Sequence, residues 1–148
     1  MIIAVVVAVI AIGVAIGAWF RPMPKPEAPT ARTYSDQEVA DAKKAVCDAY
    51  GKAINALTVN SQQPDSPNEA LAVVANSRVA IHVASTYLAT VLAQQLAAPE
   101  EVATPMKALA NQYQSMILDQ IGNSDRSTLD ADYRAADSLT PKISQACK

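Results

Sequence analysis

The chain has 148 residues, 51% of them hydrophobic, a formal net charge of −2 and two cysteines. That length allows one ordinary domain plus a short appendage. The charge is divided: residues 21–33 carry +2, whereas residues 34–148 carry nine bases against thirteen acids, which argues against a nucleic-acid partner bound through phosphate contacts. Apolar content is mostly small. Residues 34–148 hold 22 alanines, and the only Trp and Phe are Trp19 and Phe20. A core of that kind predicts close-packed helices, because small side chains bury little area unless backbones approach.

The opening stretch, MIIAVVVAVIAIGVAIGAWF, is uncharged from Ile2 to Phe20. At about 1.5 Å per residue it matches the ~30 Å hydrocarbon layer of a bilayer. Trp19, Phe20 and Arg21 then supply an interfacial end of aromatic rings and a cation. Residues 1–20 read as a retained transmembrane anchor. A cleaved signal peptide is the rival, with Ala15-Ile16-Gly17 as its small-residue site, but the basic n-region is missing. No nearby cysteine offers a lipoprotein anchor. Gly13 and Gly17 form a GxxxG, and Ala4, Ala8, Ala11, Ala15 and Ala18 form a second small stripe, the pattern by which helices dock in lipid. GxxxG alone is weak, since Gly and Ala are common in spans. The expected partner is a membrane protein complex or a second copy of the chain.

Two rules disagree on orientation. Arg21 and Lys25 follow the span and nothing basic precedes it, which places the remainder in the cytoplasm by the positive-inside rule. Cys47 and Cys147, near the two ends of the folded part, argue for a structural disulfide and an oxidising compartment. The rival is a pair of unrelated buried thiols. The disulfide reading puts the domain outside, and an upstream start supplying basic residues would remove the conflict.

The segment RPMPKPEAPTAR carries four prolines and reads as an extended linker over 21–33. A capping box, Ser35 with Glu38, opens a helix over about 35–58, with Tyr34 and Val39 as its staple. Its apolar row is Val39, Ala42, Val46, Ala49, Tyr50, Ala53 and Leu57. A second box, Ser66 and Glu69 around Pro67, opens a helix over 67 to about 97, with Leu71, Val74, Ile81, Leu88 and Leu92 inward. AAPEEVATP ends it. Pro99 is suited to a helix start, but Pro105 predicts a turn, a kink or a restart capped by Thr104. Met106, Leu109, Tyr113, Met116, Ile117 and Ile121 make the third stripe, with Gly122 as its stop. STLD begins a fourth helix, bent near Pro141, with Leu129, Tyr133, Ala136, Leu139, Ile143 and Cys147 inward. The expected fold is all-α: a single transmembrane helix, a Pro-rich stalk, and an antiparallel four-helix bundle over 34–148 closed by one disulfide. Helix four then returns toward the start of helix one, and Cys147 reaches Cys47 if helix four overhangs the far end. The bond pins a tail that would otherwise fray.

Catalytic chemistry is not visible. His82, the single histidine, lacks a Glu-x-x-His partner or a second His four residues away and reads as a partly buried structural residue. Glu100-Glu101 complements a helix dipole in a first turn. No G-x-S-x-G, S-x-x-K or glycine-rich phosphate loop is present, and bonded cysteines leave no thiol nucleophile. The reading is not an enzyme, with no cofactor and no metal. Asn76 and Arg78 interrupt an apolar helix. Arg78 is expected either to reach a carboxylate such as Asp48 or Asp137, or to emerge with Asn76 as a partner contact, with a packed ligand site as the remaining option.

Together the N-terminal span, the Pro-rich stalk, AVCDAY in the first helix, EALAVVANSRVAIHVASTYLATVL in the second and a cysteine at the end resemble alanine-rich, single-pass envelope proteins of mycobacteria and related actinobacteria. The resemblance covers 34–148 through loose motifs. It implies an envelope location and a helical exterior domain, and no reaction. The missing basic N-terminus departs from the usual pattern and puts orientation in question. The functional expectation is a non-catalytic, membrane-anchored accessory or scaffolding subunit of a larger envelope complex, in the inner membrane with its C-terminal domain outside. The alternative is a tethered binding protein for lipid or another apolar envelope molecule, held between helices two and three near the kink-prone APEEVATP, Met106 and Met116.

Overall fold

In the structure, a computed structural model that describes residues 32–60 and 67–148, four helices follow one another: α1 (Asp36–Asn60), α2 (Pro67–Gln94), α3 (Glu100–Ile121) and α4 (Arg126–Ala146). No strand occurs among the described residues, and Tyr34–Lys148 form one compact unit. The expected anchor over 1–20 and nearly all of the 21–33 linker lie outside the described residues.

The start of α1 is the predicted capping box. The Ser35 amide donates to Glu38 Oε2 at 2.8 Å, and the Glu38 amide donates to Ser35 Oγ at 3.3 Å. Two orphan amides are thereby satisfied by one reciprocal pair. Pro67 opens α2 as expected, whereas the predicted Ser66 cap lies outside the described residues. The second helix stops at Gln94, a few residues early, and closes with a turn in which the Ala98 amide donates to the Gln95 carbonyl. Ala98 precedes Pro99, whose ring disfavours helical backbone at the residue before it.

Pro105 does not divide the third helix. Helix α3 runs from Glu100 through it to Ile121, starting on Pro99, whose carbonyl accepts from the Val102 and Ala103 amides. Pro105 stands in the second turn, so only the Glu101 carbonyl loses its amide partner, and Glu101 is exposed to water. At the far end Gly122 keeps a right-handed conformation, and Asn123 takes the left-handed one with φ 53°. The Ser124 amide then donates to the Asp119 carbonyl, closing the helix in a Schellman-type turn. The cap of α4 is Asp125, ahead of the expected STLD start. Its Oδ1 accepts from the Ser127 hydroxyl and the Thr128 amide, which together hold the carboxyl below its usual value. An ionised cap suits the positive end of a helix better than a neutral serine.

Cross-helix neighbours establish the topology. From Cys47 to Tyr50 along α1, the partners step back along the α4 segment from Cys147 to the Thr140 carbonyl, which accepts from the Tyr50 hydroxyl at 3.5 Å. These two helices are therefore antiparallel, and so are α3 and α4, which pack on each other across a connection of only four residues, 122–125. Lys43 meets Glu101 near the starts of α1 and α3, which run parallel. The bundle is up-down-up-down but not square. Helix α3 packs on α1, α2 and α4, whereas α1 and α4 have no close backbone approach along their helical lengths. Accordingly α3 contributes seven buried residues, Val102, Met106, Leu109, Ala110, Tyr113, Met116 and Ile117, while α4 contributes Ala136 and Ile143.

The row of α1 is inward as predicted, with Ala42, Val46, Ala49, Tyr50 and Ala53 buried and Val39 and Leu57 half-buried. Ile81 and Leu88 of α2 are buried, but Leu71 is 75% exposed and Val74 is exposed as well. Ile121 of α3 and Tyr133 of α4 also face solvent rather than the core. Leu71, seven residues before Arg78, lies off the inward row of α2 on the same side as the guanidinium, and Tyr133 lies at a cleft rather than in the packed core.

Cys47 and Cys147 are bonded, with Cα atoms 5.6 Å apart and 100 residues between them. From that point α4 has 21 residues to its start while α1 has 13 to its end, so α4 overhangs the far end as expected.

Gly51 sits in α1 with open space where a Cβ would go. Gly51→Ala should therefore stabilise the fold by about 0.5–1 kcal/mol, because glycine loses the most backbone freedom on entering a helix. A urea midpoint that moves up checks it; one that moves down would mean that the helix interior there is not as free as it looks.

Candidate functional site

Among the concave surfaces of this geometry are two with distinct chemistry. The first is a cleft where all four helices converge, between α1 and α4. Past the disulfide the Tyr50 hydroxyl reaches the Thr140 carbonyl, and small residues such as Ala53 and Ala136 leave space between the two helices unfilled. The resulting cavity is about 430 Å³, lined by Ile54 and Leu57 of α1, Ile81 of α2, Tyr113 and Met116 of α3, and Tyr133, Asp137 and Thr140 of α4, among others. Asp137 is the single charged residue of the lining. Burial pushes the Tyr113 phenol up to about 12, with the neighbouring Tyr50 and Asp137 adding to the effect. Tyr113 is thus a neutral phenol at physiological pH.

The second is a groove of about 520 Å³ on the outer face between α2 and α3, lined by Arg78, Val79, His82, Gln114, Ile117, Leu118 and Ile121. Val79 is 61% exposed, Leu118 71% and Ile121 66%. The apolar surface continues onto Val83, 58% exposed, one turn after Val79 on the side of α2 opposite its core row. From Val79 to Pro99 the chain carries no Asp, Glu, Lys or Arg. Helix α2 is apolar outside as well as inside, a pattern ordinarily found in covered helices.

Of the residues singled out from sequence, Cys47 and Cys147 are brought together as a bond. Asn76 and Arg78 are both exposed. Arg78 does not reach the carboxylates expected for it: Asp48 pairs with Lys44 one turn away, and Asp137 lines the other cavity. The inward row of α2 is Ser77, Ile81, Ala84, Leu88, and Arg78 stands one residue off it, which turns the guanidinium to the α2–α3 groove. His82 is exposed rather than partly buried, for the same reason. A groove of about 380 Å³ does lie between α2 and α3 near APEEVATP, walled by Leu92, Leu96, Ala98 and Ala103, but Met106 and Met116 are buried in the core and do not line it. Ala4, Ala8, Ala11, Gly13, Ala15 and Gly17, expected to dock the span, lie outside the described residues. Sequence reasoning missed the Tyr113–Asp137 cleft, and its one signal was Pro141 four residues after Asp137.

Among the described residues no group of three or more His, Cys, Asp or Glu is placed to hold a metal ion, and no helix is long and apolar enough to cross a membrane. No protein family, no curated protein and no solved structure matches the chain.

The Tyr113 environment has a measurable consequence. An unfolded tyrosine titrates near 10.0 and the folded one at about 12, so between those values the unfolded chain has lost a proton that the folded chain keeps. Stability must therefore fall as pH rises through that window. Urea midpoints at about pH 9 and about pH 11 should drop further for the wild type than for Tyr113→Phe. Equal drops would mean that Tyr113 is not perturbed.

Proposed function

We propose that this chain is a non-catalytic, membrane-tethered accessory or scaffolding subunit of a larger envelope membrane-protein complex. The span over 1–20 docks through its Ala4/Ala8/Ala11/Ala15 and Gly13/Gly17 faces, and the disulfide-closed bundle, on the extracytoplasmic side, packs against the exterior part of its partner. The observation that carries this reading is the solvent face of α2, where Val79 and Val83 are exposed in a stretch without a charged Asp, Glu, Lys or Arg. A lone exposed valine is ordinary, but a continuous apolar face flanked by Leu118 and Ile121 is characteristic of an interaction surface. The disulfide supports an oxidising location. The resemblance to single-pass actinobacterial envelope proteins agrees with it.

Affinity capture of the full chain from mild-detergent membranes tests the proposal. Wild type should bring down a defined membrane complex. Gly13→Ile/Gly17→Ile should lose it through the span, and Val79→Lys/Val83→Lys should lose it through the bundle. The valine pair is exposed, so its stability should change by only about 0.5 kcal/mol. A wild-type chain that emerges alone would overturn the proposal.

A second reading, a tethered carrier of lipid or another apolar envelope molecule, is favoured by one observation: the α2–α3 groove combines an apolar floor with the Arg78 guanidinium at its edge. That arrangement fits an amphiphile with an anionic head. Native mass spectrometry of protein taken directly from membranes separates the two readings, a retained small amphiphile supporting the second.

A further inference from the structure

The α1–α4 cleft is separate from both surfaces used above and has a different chemistry. Its volume of about 430 Å³ falls in the range of small-molecule sites, about 300–1,000 Å³. Its polar lining is one carboxylate, Asp137, and the hydroxyls of Thr58, Ser77, Tyr113, Tyr133 and Thr140. The Asp137 carboxylate forms no ion pair among the described residues. Pro141 has no N–H to give the Asp137 carbonyl four residues earlier, so a second acceptor of the same residue loses its helical partner. The Thr58 hydroxyl donates to the Ile54 carbonyl. Opposite these stand the phenol rings of Tyr113 and Tyr133, the second held in place by a hydrogen bond from Gln120 Nε2 at 3.1 Å. No Lys, Arg or His contributes to the lining.

We infer that this cleft binds a small organic ammonium ion, its apolar or aromatic body against Ile54 and Leu57 and its N–H groups on Asp137. Negative charge with no cation of its own, beside two aromatic faces, selects for positive charge by ion pairing and by the attraction of a cation to a π-face. An anion would meet Asp137 as a like charge. A neutral apolar molecule would gain nothing from the Asp137 charge.

The probe is tryptamine, with indole-3-propionate and indole-3-ethanol as its anionic and neutral counterparts. Each is titrated into the isotopically labelled full chain in micelles, and methyl and aromatic NMR shifts of Ile54, Leu57 and Tyr113 are followed. Tryptamine should give saturable shifts at these residues, and the anionic counterpart should bind at least about tenfold more weakly. Asp137→Asn should lose the preference, and Asp137→Lys should reverse it; Asp137 is exposed, so both variants are expected to fold. Equal binding of the three probes, shifts elsewhere in the chain, or an undiminished preference in Asp137→Asn would overturn the inference.

Discussion

The bond between Cys47 and Cys147 is the constraint on which this architecture depends. Helices α1 and α4 close the bundle, yet their backbones do not approach closely along their helical lengths, and beyond the disulfide the Tyr50–Thr140 hydrogen bond between them is a weak one. The core offers little to replace it. Ala42, Ala49, Ala53, Ala84, Ala110 and Ala136 are all buried, and each removes far less apolar area from water than a leucine would. Closing a loop of 100 residues contributes about 4.7 kcal/mol in the chain-entropy treatment, against total stabilities of about 5–15 kcal/mol for ordinary domains. A bundle so built is most stable while the bond stays oxidised, and the proposed location outside the cytoplasm rests on that link.

Helix α3 is the second structural necessity. It alone packs on all three others, and its buried row from Val102 to Ile117 supplies the larger side chains that alanine-rich neighbours close around. The asymmetry follows directly. Where α3 is flanked on both sides its side chains are buried, and where α1 and α4 should meet there is a cleft. At the end remote from the disulfide, Leu71, Leu118 and Ile121 remain uncovered.

Most of the fold is legible in the residues because its signals are local. Ser35 with Glu38, Pro67, the α1 row and the paired cysteines each depend on neighbours within a turn or on simple connectivity. What is not legible depends on context. Pro105 is harmless because the carbonyl it orphans is solvated, and Asp125 displaces the expected STLD start because a charged acceptor with two donors binds the helix end better. Leu71 repeats at helical spacing but on the face of Arg78 rather than on the inward row of Ser77 and Ile81, and apolar spacing alone cannot fix which face turns inward. Arg78 is one residue off the inward row, a shift of about 100° that sends it to a groove instead of Asp48 or Asp137. The Tyr113–Asp137 cleft arises from what two helices fail to fill, and no single segment encodes that.

The account's functional claims share this base: an oxidised, closed bundle displaying the α2 face outward. Differential thiol alkylation of the full chain taken from its native membranes, read by mass spectrometry before and after reduction, tests it most directly. The account predicts no alkylation before reduction, two labelled cysteines after it, and a linked peptide pair containing Cys47 and Cys147. Two freely alkylated thiols in the unreduced protein would contradict both the closed bundle and its proposed location.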